Sequence, residues 1–365
     1  MLLVIVAGFI VAAVATLYVV RSVRLHGHAS GDHDFRGPQK FHARAVPRIG
    51  GVGIFFGFAA SLAMLAVERP DDEWTVIFGL LACALPAFAA GLQEDLTKRV
   101  SPRRRLFATA LSAVLAAWLL KAVISRTDIP GLDWVAAWPL GAALLAVFAV
   151  AGVANSVNII DGMNGLASMC VMLMLTGLAY IAHQVGDSLI LGLALAAIGA
   201  VLGFFLWNYP NGLIFLGDGG AYFLGFVLAE IAILLLHRNP SVSPLCPLLL
   251  CAYPVFETVF SMYRRKVVRG RPMGMPDGIH LHSLIYRRLM RWAVGSKDAA
   301  VLTRRNSMTA PYLWVLCSLS VVPAMLWWDS TPILGTSLLL FAAAYVLLYW
   351  RIVRFRTPGW MIIRR

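Results

Sequence analysis

The chain has 365 residues, of which 60% are hydrophobic and only 13% charged, with a mean hydropathy of +0.77. Soluble domains carry nearer a quarter charged residues, so this composition excludes an ordinary globular protein. The net charge of +13 would suit a nucleic-acid binder if it formed one patch, but the basic residues come in blocks between apolar runs, which excludes that reading.

Runs of about 18 or more apolar residues fall near 1–20, 49–67, 74–91, 106–123, 134–153, 166–183, 188–206, 220–236, 244–262, 311–328 and 331–350. These eleven spans predict an all-α polytopic membrane protein, a single domain over 1–365. The first run has no basic residue ahead of it and several behind it, so it is expected to be a retained helix rather than a cleaved leader. Suppose the N-terminus faces outside. Loop 21–48 then carries Arg21, Arg24, Arg36, Lys40, Arg44 and Arg48 on the inner side, and loop 92–105 carries Lys98, Arg99, Arg103, Arg104 and Arg105. Loop 263–310 holds eleven more basic residues and the tail holds Arg351, Arg354, Arg356, Arg364 and Arg365. Only Arg69, Lys121, Arg126 and Arg238 remain opposite. This asymmetry predicts an outside N-terminus, a cytoplasmic C-terminus, and further cytoplasmic loops at 154–165 and 207–219. Trp134, Trp138, Trp327, Trp328 and Trp350 suit an interfacial belt, and the five cysteines read as small apolar residues inside spans.

The unusual polar clusters all lie on the basic side. An ionisable group held at a membrane edge is a functional-site hypothesis by default. After Gly91 come Glu94 and Asp95, adjacent carboxylates that call for a proton or cation nearby, with Lys98 three residues on. A solvated helix end is the plainer alternative. Asn155, Asn158 and Asp161 recur at three-residue spacing and share a face if the preceding helix continues. Their carboxamides and carboxylate suit a nucleobase, ribose or sugar. Asp218, in Gly217-Asp218-Gly219-Gly220, directly precedes an apolar run. It reads either as a helix cap or as the ligand of a hard divalent cation completed by substrate phosphates.

His280-Leu281-His282 places two imidazoles on one side of an extended stretch, better matched to a phosphate or sugar than to zinc, for which further ligands are wanting. His26, His28, Asp32, His33 and Asp34 read as incidental loop polarity. Glu257 is expected to pair with Arg264 or Arg265, and Glu230 has no evident partner.

In this order the motifs resemble those of the polyprenyl-phosphate N-acetylhexosamine-1-phosphate transferase family, of glycosyltransferase family 4 type, over about Gln39 to His282. Pro47-Arg48-Ile49-Gly50-Gly51 is similar to a Pro-Arg-x-Gly-Gly element, and Glu94 to Lys98 to Asp-Asp-x-x-Lys. Asn158 to Leu166 resembles Asn-x-x-Asp-Gly-x-Asp-Gly-Leu. Gly217-Asp218 matches a Gly-Asp motif, Pro254 to Glu257 a Pro-x-x-Asp element, and His280-x-His282 a His-x-His-His motif. Glu94, Asn164, Glu257 and Ser283 stand where the family pattern has Asp, Asp, Asp and His. The absence of a triple-His pattern favours the branch that initiates surface polysaccharides such as O-antigen over the peptidoglycan phospho-N-acetylmuramoyl-pentapeptide transferase, which is the alternative. A secondary transporter is the rival of a different class.

The resemblance implies transfer of N-acetylhexosamine-1-phosphate from a UDP-sugar to polyprenyl (undecaprenyl) phosphate at the inner face of the bacterial cytoplasmic membrane, with UMP released. It implies Glu94, Asp95 and Asp161 as catalytic groups, with Asp95 rather than Glu94 facing the lipid phosphate. Arg48, Lys98, Asn155, Asn158, Asn164, His280 and His282 would bind substrate. Asp218 would hold Mg2+, or Mn2+ in its place. The expected partners are UDP-N-acetylhexosamine, polyprenyl phosphate, the bilayer and a second copy of the chain, with no nucleic acid.

Overall fold

In a bilayer a backbone must satisfy its hydrogen bonds within its own segment, and each apolar run folds accordingly as helix. The structure, a computed structural model, describes residues 1–22, 46–69, 73–270, 278–296 and 298–363. The His26–Asp34 cluster lies outside the described residues. The helices are α1 (Leu2–Arg21), α2 (Gly50–Val67), α3 (Trp74–Thr97), α4 (Pro102–Leu119), α5 (Leu132–Ala136), α6 (Pro139–Ile160), α7 (Leu166–Gln184) and α8 (Ser188–Asn208). They continue with α9 (Gly217–Arg238), α10 (Leu245–Leu250), α11 (Ala252–Tyr263), α12 (Leu281–Arg288), α13 (Ala299–Ser307), α14 (Ala310–Leu326) and α15 (Thr331–Val353).

Among the described residues nine helices are long and apolar enough to cross a membrane, against eleven runs read from the sequence. The other two runs are helical but altered. The run at 106–123 starts earlier, as α4, so that Arg103, Arg104 and Arg105 occupy its first turn behind a Ser101 cap. The run at 244–262 breaks at Cys251 into α10 and α11. Pro254 has no N–H to continue the helical ladder across that break.

Three helices run further than the apolar pattern suggests. α3 continues through Glu94 and Asp95 until Lys98 adopts a left-handed backbone (φ 54°). α6 carries Asn155 and Asn158 and ends where Asp161 leaves helical geometry (φ −75°, ψ 63°). α9 starts at Gly217 and takes Asp218 into its first turn. The polar motifs therefore sit on rigid helix ends. α9 is buried on every side from Gly217 to Leu235, as expected of a helix apolar all round, and packs against α2, α3 and α6.

α1, α2 and α8 approach closely through small residues: a methyl group on Gly203 would meet the Phe9 carbonyl at 2.5 Å, and Ser61 Oγ donates to the Val4 carbonyl at 2.7 Å. Segment 47–51 lies beside 215–216, with Phe215 N donating to Pro47 O (2.9 Å) and Gly50 N to Phe215 O (3.0 Å). This pairing sets Arg48 against the start of α9.

Candidate active site

The first turn of α9 organises the site. Gly217 has φ +75°, and a Cβ there would lie 1.8 Å from the Arg48 carbonyl, so both the backbone turn and the close approach require glycine. Helix starts leave N–H groups without helical partners. Here Asp95, arriving from α3, accepts from Asp218 N at 2.9 Å and from Gly219 N at 2.8 Å. Asp95 is 1% exposed. The capping role open to Asp218 in the sequence is thus filled by Asp95.

Asp218 instead meets side chains. Its Oδ1 accepts from Asn158 Nδ2 at 2.8 Å and lies 3.8 Å from Arg48 Nη2, while Oδ2 pairs with Arg105 Nη1. Arg48 Nη2 also lies 3.9 Å from Asp95 Oδ1, so one guanidinium spans both aspartates. Arg105 is further placed over the Tyr222 ring, 5.6 Å from its centroid. These groups open on a cavity of about 380 Å³ lined by Arg48, Glu94, Arg105, Asn158, Asp161, Asn164, Asn208, Asp218, His280, His282 and Asn306 among others. That size falls within the range of small-molecule sites. Burial pushes the Asp161 carboxyl up to about 7, against the opposing pull of Arg48 and of the Gly217 N–H it accepts.

The structure brings together on this cavity Arg48, Glu94, Asn158, Asp161, Asn164, Asp218, His280 and His282, drawn from five separate parts of the chain. Three expectations need correction. Asp95 and Glu94 are placed in the reverse of the order expected: Glu94 lines the cavity, steadied by Val100 N at 2.6 Å, and Asp95 is sealed beneath the α9 turn. The reason is that neighbouring residues on a helix point about 100° apart, and α9 takes the face that carries Asp95. Asn155 faces Tyr222, whose hydroxyl donates to it at 3.4 Å, and is absent from the lining. Lys98 caps α3 on an exposed turn away from the lining.

Asn164 lines the cavity, but its amide nitrogen donates to Ser307 Oγ (3.1 Å) and Pro210 O (3.4 Å), tying α13 to the loop before α9. Glu257 does not pair with Arg264 or Arg265. It accepts from His280 Nδ1 at 2.9 Å, while Arg264 donates to Ile279 O and to the Tyr349 hydroxyl. The two imidazoles of His280 and His282 stack with centroids 5.4 Å apart and planes 8° from parallel.

Residues the sequence did not single out are Arg105, Asn208 and Asn306. Arg105 is one of three consecutive arginines and only the α4 helical phase distinguishes it. Asn208 ends an apolar run, which is a readable signal. It bridges Gly165 N and Ile214 O, at 2.7 and 2.8 Å.

The family model described as glycosyl transferase family 4 matches residues 77–236, a span that carries Glu94, Asp95, Asn158, Asp161 and Asp218. A Thermotoga maritima protein named undecaprenyl-phosphate alpha-N-acetylglucosaminyl 1-phosphate transferase is 32% identical over 254 residues, which are 70% of this chain and 72% of the relative. The chain belongs to the polyprenyl-phosphate N-acetylhexosamine-1-phosphate transferase family. A Bacillus subtilis relative, named "Probable undecaprenyl-phosphate N-acetylglucosaminyl 1-phosphate transferase", is 28% identical over 303 residues, covering 82% of this chain and 80% of its own. A Rubrobacter xylanophilus phospho-N-acetylmuramoyl-pentapeptide-transferase is 28% identical over 263 residues, 65% of this chain and 76% of its own. Membership in a transferase family removes the transporter reading.

Proposed function

We propose that the protein transfers N-acetylhexosamine-1-phosphate from a UDP-sugar to undecaprenyl phosphate, giving a polyprenyl-pyrophosphoryl sugar and UMP. The reading places the cavity on the cytoplasmic face of a bacterial inner membrane, in an eleven-span chain with its N-terminus outside. Of the three relatives named above, the two N-acetylglucosaminyl 1-phosphate transferases cover 82% and 70% of this chain against 65% for the pentapeptide transferase, and the chain has Ser283 where a triple-His pattern would continue. The observation that carries the reading is the pairing of two guanidinium groups, Arg48 and Arg105, with carboxylates on one polar cavity that gathers the ends of α3, α6 and α9. Such a cavity suits a diphosphate whose charge must be both gripped and balanced.

In the reaction an oxygen of the lipid phosphate bonds to the sugar-linked phosphorus, and the anhydride bond to UMP breaks. One anhydride replaces another, so the exchange is close to thermoneutral. A phosphate monoester with a second pKa near 6 is already largely dianionic at pH 7, so orientation matters more than proton removal. Arg48 and Arg105 would take the diphosphate oxygens, and Asn158 and Asp161 the nucleotide. Glu94 would face the lipid phosphate across the cavity rim.

A magnesium ion fits the donor chemistry: the Asp218 carboxylate offers hard oxygens on the same cavity. No group of three or more His, Cys, Asp or Glu among the described residues gathers tightly enough to hold an ion alone. That is the pattern of a cation completed by substrate phosphates and water. When bound, the ion would neutralise charge developing on the diphosphate.

The deciding experiment incubates membranes containing the protein with undecaprenyl phosphate and a panel of radiolabelled UDP-sugars that includes UDP-N-acetylglucosamine, UDP-N-acetylgalactosamine and UDP-N-acetylmuramoyl-pentapeptide. A lipid-extractable pyrophosphoryl N-acetylhexosamine is expected. Label transfer from the pentapeptide substrate alone would replace this reading with the peptidoglycan one.

A further inference from the structure

The contact between Glu257 and His280 joins α11 to the cavity wall. Glu257 lies on α11 and is fully buried. Its Oε1 accepts from His280 Nδ1 at 2.9 Å and from Leu281 N at 3.2 Å, and its Oε2 accepts from the Tyr345 hydroxyl of α15 at 2.6 Å. Tyr345 has no freedom to swing away: it is 0% exposed and set edge-on against Phe256 and Phe260, with centroids 5.0 and 5.6 Å distant. A carboxylate buried in a bundle is costly unless donors satisfy it. Here three donors from two other parts of the chain converge on it. An apolar side chain would hold the loop against the bundle at less expense, so the carboxylate has work to do at His280.

We propose that Glu257, braced by Tyr345, is a positioning residue that fixes the tautomer and orientation of His280 so that Nε2 is presented to a phosphate oxygen of the sugar nucleotide. The inference rests on the transferase reading above. A carboxylate can only accept, so Nδ1 carries the hydrogen of that bond and Nε2 is the ring atom left for a ligand. In the imidazolium form both ring nitrogens carry hydrogen, so Nε2–H donates to the phosphate oxygen while Nδ1–H stays on Glu257. His282 stacks in parallel on His280, and its Nε2 lies 2.5 Å from where a Cβ on Gly162 would stand, beside Asp161. The two rings thus reach the cavity next to the residues proposed to hold the nucleotide, and His280 is hydrogen-bonded to the buried Glu257.

The test uses the full-length protein purified in detergent and assayed for sugar-phosphate transfer. Glu257→Gln keeps the shape and an acceptor oxygen for Nδ1–H but removes the charge. Glu257→Gln and His280→Ala are each expected to lower kcat/KM for the UDP-sugar by about 10- to 100-fold, the scale seen when the outer partner of a working histidine is lost. The double variant should be no worse than His280→Ala alone, since residues acting as one unit are not additive. Tyr345→Phe should cause a smaller loss of the same kind, and the thermal transitions of the Gln and Phe variants should stay near wild type. Transfer by Glu257→Gln within twofold of wild type, or losses that multiply in the double variant, would overturn the proposal. So would a collapsed thermal transition with normal turnover in the folded fraction. If the wild-type protein makes no lipid-linked product from any UDP-sugar, the functional reading fails by itself. Calorimetric UDP binding then decides the positioning role: affinity about tenfold weaker in both single variants supports it, and unchanged affinity removes it.

Discussion

Asp95 and Asp218 meet at the first turn of α9, where backbone N–H groups lack helical acceptors, and they do opposite things there. Asp95 turns both oxygens onto N–H groups at the positive end of the helix, whereas Asp218 turns outward to Asn158, Arg48 and Arg105. Asp95→Asn should therefore act through the fold. It should lower the stability of the detergent-solubilised protein by about 1–3 kcal/mol, as for a lost charged hydrogen bond, and take activity with it. Glu94→Gln, by contrast, should leave the thermal transition in place while transfer falls. Equal thermal midpoints for the two variants would contradict this division. Asp218→Asn should leave the transition near wild type and reduce turnover on the order of 100-fold or more, the scale for removing a group that meets developing charge.

Asp161 gives a pH signature: burial lifts its carboxyl from the ordinary 3.8 to about 7, so its contribution to stability is greatest at low pH and is lost as pH rises toward 7. Asp161→Asn should accordingly stabilise the unliganded protein at pH 8 more than at pH 5, read as the difference in thermal midpoints.

The start of α9 is the element on which the site depends, because four other chain segments take their positions from it. Gly217 receives segment 47–51, Gly219 receives Asp95, and Asp218 receives α4 and α6 through Arg105 and Asn158. Gly217→Ala would require both an unfavourable backbone angle and displacement of the Arg48 carbonyl. It should abolish transfer and lower folded yield, measured by size-exclusion chromatography in detergent. At Gly162 the three nearest atoms to an added Cβ all belong to the His282 ring, a side chain rather than backbone, so Gly162→Ala should reduce transfer without loss of folded yield. The sequence located these motifs because their Asn, Asp and Gly contrast with the apolar runs beside them. It could not phase Glu94 against Asp95, or pick Arg105 from Arg103 and Arg104. Those choices depend on which face of α3 and α4 the partner helices cover.

The molecule as a whole is a helical bundle around α9. Cysteines introduced at Ser296 and Arg354 should react with an impermeant maleimide only when the cytoplasmic side is opened, and one at Asp329 should react from outside in intact cells. Labelling of Ser296 from outside would reverse the orientation. The turn between α7 and α8 carries polar work of its own: Asp187 caps α8 at Ile190 N and accepts from Arg238 and Asn239, tying this turn to the one after α9. Burial opposes its charge, but those donors outweigh it and hold its carboxyl below the usual range.

Composition alone determined that the chain is helical and spans a membrane, since twenty apolar residues in lipid can satisfy their backbone only as helix. Charge asymmetry predicted a direction of insertion, and the order of Glu94-Asp95, Asn158-Asp161, Gly217-Asp218 and His280-His282 pointed to the family. Tertiary structure decided what a linear pattern does not carry: that Asp95 serves a helix start, that Arg105 reaches Asp218, and that Glu257 stands behind His280. Each of these contacts joins residues from separate helices, with Glu257 and His280 at 23 positions apart and Arg105 and Asp218 at 113. Side chains that distant are brought together by the packing of whole helices, and no local preference of either residue records its partner.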